Sequence, residues 1–183
     1  MEAIKTDFEG LFIFELKAFF DERGYFMESY NENLYKTLGI TDNFVQDNIS
    51  VSKSGVIRGL HFQNSPHAQG KLVSVLRGKV YDVAVDIRKD SPTFGKYFFC
   101  ELSEENKKQI FIPAGFAHGF MALADDTIFS YKCTDLWNKE SEGGLLWNDE
   151  EISIAWPDGE KIVSEKDKIQ DSFKVLKSKM GII

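Results

Sequence analysis

The sequence predicts an all-β protein, a sandwich or barrel of short strands. Three observations carry this. Short alternating or apolar runs recur about every ten residues, with Gly and Pro between them. The chain holds 16 Phe but only 4 Pro among its 183 residues, which suits a sheet-rich core built on aromatics. Only two short segments carry helical spacing.

The first strand-like run is Leu11–Leu16. Asn31–Leu38 reads as a short helix, because Leu34 and Leu38 lie at i, i+4 and Gly39 follows as a stop. Further strands are expected at Val56–Gln63, Lys71–Leu76, Val80–Ile87, Tyr97–Leu102, Gln109–Pro113 and Thr127–Cys133. Arg77-Gly78-Lys79 and Asp125-Asp126 read as hairpin turns. Asp82 and Asp86 alternate with apolar residues, so their strand should have one polar face. The tail turns helical over about 165–179, with Ile169, Phe173 and Leu176 on one face. Ser164-x-x-Asp167 at its start resembles a capping box, with Asp where Glu or Gln is usual. No linker, repeat or low-complexity block interrupts the chain, so a single domain over 1–183 is expected.

Composition narrows the function. The chain carries 22 Lys and Arg against 29 Asp and Glu, a net charge of −7. That argues against a basic face for nucleic acid and against a polybasic membrane patch. The 2 cysteines, Cys100 and Cys133, are too few for a disulfide framework. The start has three acids, Glu2, Asp7 and Glu9, and no apolar run, unlike a signal peptide, and no stretch approaches the ~18 apolar residues of a membrane span. A reducing, cytoplasmic setting is expected.

With 3 His, any imidazole chemistry rests on His61, His67 or His118. They show neither His-x-His nor i, i+4 spacing, and the cysteines form no Cys-x-x-Cys, so no metal site is expected. Strict alternation in Val56–Gln63 puts His61 on one face and Arg58 on the other, with Leu60 and Phe62. An Arg on an apolar face means either that the strand bends at Gly59 or that this face carries a site. His118 lies between small residues in Ile112–Phe120, which suits a pocket wall or a tight corner. Lys71 opens a strand, where an inward ammonium needs a partner or an anionic ligand unless it snorkels to solvent. Gly-x-Gly-x-x-Gly, P-loop and Gly-x-Ser-x-Gly motifs are absent, which removes dinucleotide oxidoreductases, Walker NTPases and α/β-hydrolases from the leading readings.

Read in order, several segments resemble one family. They are Asp21-Glu-Arg-Gly-Tyr-Phe-Met-Glu28, Gln46-Asp47-Asn48, Gly55-Val-Ile-Arg-Gly-Leu-His-Phe-Gln63, Gln69-Gly-Lys71, Asp82-Val-Ala-Val-Asp-Ile-Arg88, Ser91-Pro-Thr-Phe-Gly95, Ile112–Phe120, Tyr131-Lys132 and Ser164-Glu-Lys-Asp167. The chain is similar here to the dTDP-4-dehydrorhamnose 3,5-epimerases, cupin-type enzymes acting on nucleotide sugars. The resemblance implies a cupin jelly-roll barrel (double-stranded β-helix) with short N-terminal and C-terminal helices. It also implies a homodimer, a nucleotide-sugar substrate and no metal or organic cofactor. It matches His61 to the general base, Tyr131 to the general acid, Asp167 to the residue orienting the base and Lys71 to the enolate stabiliser. Arg58 and His118 match residues around the substrate. Arg23, Glu28, Gln46, Asp47, Asn48, Glu142 and Lys166 match substrate-contacting positions, some of them reaching across the dimer.

The residue types fit that chemistry. A ketone at C4 acidifies the hydrogens on C3 and C5, and inversion needs a base on one face of the ring and an acid on the other. His, with a pKa of ~6.5, suits abstraction near neutrality, and Tyr, at ~10, holds its proton for delivery. The implied reaction is epimerisation at C3 and C5 of dTDP-4-dehydro-6-deoxy-D-glucose, in dTDP-L-rhamnose biosynthesis. Three alternatives stay open: epimerisation at C3 or C5 alone on another nucleotide 4-keto-sugar, a metal-dependent cupin, and a non-catalytic sugar-binding cupin. The chain departs from the family's pattern at Ile49, where His is common, and at Leu136-Trp137, where tyrosines are common. Trp137 remains able to stack on a base.

Overall fold

Two sheets face each other, and the alternation of their strands decides which side chains meet between them. In a computed structural model, residues 2–182 are described; Met1 and Ile183 lie outside them. The strands are β1 (Glu2–Lys5), β2 (Phe12–Glu15), β3 (Ala18–Asp21), β4 (Gly24–Met27), β5 (Gln46–Ser52), β6 (Val56–Gln63) and β7 (Lys71–Arg77). They continue as β8 (Lys79–Asp86), β9 (Tyr97–Ser103), β10 (Lys108–Ile112), β11 (Phe116–Ala122), β12 (Thr127–Cys133), β13 (Glu142–Gly144) and β14 (Ile162–Val163). The helices are α1 (Glu32–Thr37), α2 (Glu165–Lys168) and α3 (Phe173–Lys179). One sheet runs β1-β2-β10-β7-β12-β5 and the other β13-β6-β11-β8-β9, with β14 parallel to β6. This is the cupin jelly roll that the resemblance implies.

Between the sheets, Val73, Val75, Ile110, Ile112 and Phe129 of the first pack on Val80, Ala84, Leu102, Phe116 and Phe120 of the second. Burying each such side chain contributes roughly 1.5–3 kcal/mol. The outer faces are covered as well. α1 lies over the first sheet, where Tyr35 and Ile40 pack on Phe14, Leu72 and Phe111. α3 and the segment before it cover the second, where Phe173, Leu176, Leu145 and Ile152 pack on Leu60, Phe62, Val83 and Val85.

The structure corrects four expectations. Arg77-Gly78-Lys79 and Asp125-Asp126 do not close hairpins. β7 and β8 lie in different sheets, as do β11 and β12, so both turns are corners between sheets. Asp82 and Asp86 do not make a polar face, for they share their side of β8 with the core residues Val80 and Ala84 and are themselves fully buried. Asp86 is satisfied by Arg88, Ser91 and Thr93. The C-terminal helical segment is two helices. After α2 the chain turns extended, Asp171 bridges to Leu145, and the Ser172 hydroxyl caps α3 by accepting from the Val175 N–H. Ile169, expected on the buried face, is 83% exposed at the break. Finally, β5 and β11 were not expected as strands, yet each is a regular rung of a sheet.

Candidate active site

The barrel interior is apolar on one side and polar on the other. The polar part forms a cleft of about 580 Å³. A lobe of about 430 Å³ continues from it and shares Asn48, His61, Lys71 and Tyr131.

The cleft depends on a break in the alternation of β6. His118 pairs with His61 and Phe120 with Arg58, so two steps along β11 oppose three along β6. The extra residue is a bulge, and it brings Arg58 and His61 to the same face. Leu60 and Phe62 turn outward into the packing beneath α3. Gly59 makes this possible. Its φ is +130°, and a Cβ there would sit 2.5 Å from the Gly119 Cα and 2.9 Å from the His118 carbonyl oxygen. Only glycine fits. Of the two readings of Arg58, the strand does bend, and Arg58 joins the cleft rather than the apolar face.

His61 Nε2 lies 2.6 Å from Asp167 Oδ1. The His61 side chain is 34% exposed and that of Asp167 only 5%. An ionised carboxylate only accepts, so His61 donates from Nε2 and keeps its lone pair on Nδ1. The Gly59 N–H donates to the other Asp167 oxygen at 3.4 Å. Burial opposes charge on Asp167, but the His61, Gly59 and Ser164 hydrogen bonds outweigh it and hold the carboxyl below its ordinary value. Ser164 Oγ meanwhile caps α2 by accepting from the Asp167 N–H at 3.1 Å. Capping and orientation therefore coexist: the Asp167 backbone is capped while its side chain turns to His61.

A second histidine–carboxylate pair stands on the neighbouring strands. His118 Nε2 faces Asp82, at 3.0 Å from Oδ2 and 3.2 Å from Oδ1. Both residues are buried. Burial pushes the His118 pKa down, against the opposing pull of Asp82.

Lys71, the first residue of β7, is inward and buried; it does not snorkel. Its ammonium donates to the His61 carbonyl at 3.3 Å. Burial lowers its pKa, opposed by Cys133, Asp82 and Glu142. Tyr131 comes from β12, on the sheet facing His61. Burial raises its pKa, helped by Cys133 and opposed by Arg58, so the phenol holds its proton. His61 and Tyr131 thus stand on opposite walls of one cleft.

The inward row of β5 completes the wall. Gln46 Nε2 donates to Asn48 Oδ1 at 3.1 Å, and Asn48 Nδ2 reaches Cys133 Sγ at 3.6 Å. Arg58 is fixed by Ser52 Oγ at 3.1 Å and the Val51 carbonyl at 3.2 Å. Lys166 and Glu142 pair at 2.7 Å between α2 and β13. Asp47 faces the other way and pairs with Lys132. Arg23, at the tip of the β3–β4 hairpin, pairs with Asp21, and its side chain is 85% exposed. Glu28 is exposed just after β4. Neither Arg23 nor Glu28 lines the cleft or its lobe. Sequence reasoning missed the partnership of Asp82 with His118, the clamp of Ser52 on Arg58 and the place of Cys133 beside Lys71. Only the inward alternation of their strands pointed to them. Among the described residues, no group of three or more His, Cys, Asp and Glu side chains is arranged to hold a metal ion.

Comparison with known proteins agrees with this geometry. A profile of the family described as dTDP-4-dehydrorhamnose 3,5-epimerase matches residues 5–175. The dTDP-4-dehydrorhamnose 3,5-epimerase of Shigella flexneri is 52% identical over 168 residues, covering 91% of this chain and 93% of that one. The 3,5-epimerase of Legionella pneumophila, solved in complex with dTDP-4-keto-L-rhamnose, superposes with a TM-score of 0.93 at 49% identity, covering 98% and 96% of the two chains. A 3'-monoepimerase from Streptomyces bikiniensis, solved with dTDP-quinovose, shares the fold at a TM-score of 0.89 but only 28% identity, over 97% and 90% of the chains. A matched profile over most of the length and relatives at half identity lead to one conclusion: the chain belongs to the dTDP-4-dehydrorhamnose 3,5-epimerase family of isomerases.

Proposed function

We propose that this chain epimerises C3 and C5 of dTDP-4-dehydro-6-deoxy-D-glucose, giving dTDP-4-dehydro-L-rhamnose. The observation that carries the reading is the His61–Asp167 pair at 2.6 Å, set across the cleft from Tyr131. His61 Nδ1 removes the proton from a carbon beside the C4 ketone. The electron pair moves onto O4 as an enolate. The buried Lys71 ammonium stabilises that charge. Tyr131 delivers a proton to the opposite face of the same carbon, inverting it. Exchange with solvent then returns a proton to Tyr131 and removes one from His61. Arg58, Gln46, Asn48, His118, Glu142 and Lys166 hold the nucleotide sugar. The single-site alternative uses the same pair; the higher identity to the Shigella flexneri 3,5-epimerase, 52%, than to the monoepimerase, 28%, favours both carbons.

In this reading the protein acts as a homodimer in the cytoplasm. The β3–β4 strands pair only with each other among the described residues and expose Phe19, Phe20, Tyr25 and Phe26. The outward face of edge strand β5 exposes Ile49 and Val51. Covering these surfaces with a second copy would bring Arg23 and Glu28 toward the partner's cleft, while Asp47 stands at that interface. No helix among the described residues is long and apolar enough to cross a membrane.

The test is solvent deuterium exchange at C3 and C5 of dTDP-4-keto-6-deoxyglucose, followed by NMR of the product stereocentres. Wild-type protein should exchange and invert both carbons, and His61→Ala should do neither. Full exchange by that variant would remove His61 as the base; exchange at one carbon alone would establish the single-site alternative.

A further inference from the structure

The inward row of β5 holds a hydroxyl without a partner. Along that face Gln46, Asn48, Ser50 and Ser52 alternate with outward Asp47, Ile49 and Val51. Gln46 bonds Asn48, Asn48 reaches Cys133, and Ser52 clamps Arg58. Ser50 Oγ is buried and bonds nothing, and it is the one such side-chain atom among the described residues. A buried, unpartnered hydroxyl is unfavourable, and native proteins seldom retain one without a use.

The surroundings point to the use. Ser50 lies on the wall of the main cleft together with Arg58, Phe129 and Tyr131. It pairs in register with Phe129, one alternation along β12 from Tyr131. Side chains two apart on a strand stand roughly 7 Å apart, so Ser50 sits one step from the Ser52 hydroxyl that fixes the guanidinium. Serine has three staggered χ1 positions, and rotation about that one bond turns the hydroxyl toward whatever occupies the cleft. A group meeting both an Arg and a hydroxyl donor carries an acceptor oxygen.

We propose that Ser50 is a substrate-positioning residue: on binding, its hydroxyl donates to a substrate oxygen held at the same time by Arg58. This rests on the nucleotide-sugar reading above. The oxygen belongs either to a phosphoryl group or to the hexose, and both present the acceptor that the site lacks. The bond forms with bound ligand, so its loss weakens binding without removing a proton carrier.

The experiment compares wild type and Ser50→Ala by titration with dTDP, by titration with a dTDP-hexose, and by thermal unfolding. Ser50→Ala should unfold at the same temperature or higher, because it deletes a buried group that has no partner. It should bind the dTDP-hexose about tenfold more weakly, with KM raised and kcat nearly kept. If dTDP alone weakens in parallel, the acceptor is a phosphoryl oxygen; if only the dTDP-hexose weakens, it is on the sugar. Unchanged affinity for both overturns the proposal. So does a clear fall in unfolding temperature, which would mean that the hydroxyl already has a partner in the protein. Wild-type turnover in the same preparation keeps the two claims separate: failure there defeats the functional reading and not the role of Ser50.

Discussion

Arg58 and His61 are three residues apart on one strand, yet both face the same cleft, because β6 carries an extra residue opposite β11. Regular alternation would have sent one of them into the outer core with Leu60 and Phe62. The imidazole and the guanidinium therefore share a wall through a backbone irregularity.

That irregularity should not tolerate a side chain. At Gly59→Ala the new Cβ would meet the Gly119 Cα at 2.5 Å, and its φ of +130° disfavours any L side chain. Backbone strain costs about 1–3 kcal/mol and overpacking a similar amount. Urea unfolding should show a loss of roughly 2–5 kcal/mol, with activity falling in the folded fraction as well. Wild-type stability in Gly59→Ala would show that the bulge does not need glycine.

Asp167→Asn tests orientation of the base. The amide keeps the size of the carboxyl but can present N–H to His61 and favour the wrong tautomer. By the precedent of histidine–aspartate pairs, kcat should fall by about 10²–10⁴ with KM little changed. The same variant reports a stability linkage. The folded pKa of Asp167 is depressed, so its stabilisation is present above the unfolded value of about 3.9 and is lost as pH falls through the lower folded value. The stability gap between wild type and Asp167→Asn should therefore shrink in that acid window. A gap that stays constant there would remove the ionic contribution.

Most strands were legible because their alternation is clean, and Thr127–Cys133 is observed with the expected ends. β11 was hidden because Gly115, Gly119 and Pro113 read as turn residues, and all-buried burial leaves no alternation to see. The split of the tail was hidden because Ile169 has the right spacing for a buried face. What breaks the helix is a long-range pairing with Leu145 and the cap by Ser172, and periodicity carries no record of the pairing. The His61–Asp167 contact spans 106 positions, so the residue pattern alone offered only a cap at Ser164; the orienting role entered through the family resemblance. The His118–Asp82 pair joins two strands that become neighbours only in the folded sheet.

Lys71→Met separates function from stability. The ammonium is buried, and its bond within the described residues is to a backbone carbonyl rather than a carboxylate. Replacing such a group with an apolar side chain of similar length is often neutral or stabilising. The variant should unfold at an equal or higher temperature, while kcat falls by about 10²–10³ through loss of enolate stabilisation. Burial lowers the folded pKa of Lys71, so the unfolded chain binds more protons between that value and about 10.4, and wild-type stability should rise with pH across this range. Lys71→Met should flatten the rise. A large loss of stability together with full activity would assign Lys71 to structure alone.

Tyr131→Phe should uncouple exchange from inversion. Burial raises the Tyr131 pKa, so the phenol keeps its proton across the neutral range, as the proposed acid must. Without it, His61 still removes the proton and can return one, drawn from solvent, to the same face. Deuterium should then enter C3 and C5 with the configuration kept, while net epimerisation falls by about 10²–10⁴. His61→Ala should lose both processes together. The ratio of exchange to inversion, read by NMR on one sample, is the decisive quantity because it does not depend on how much variant protein is folded. If Tyr131→Phe lowered both rates equally, the phenol would act before proton abstraction, in binding or in stabilising the enolate. If it inverted both carbons at the wild-type rate, the acid would have to be sought elsewhere on the cleft wall.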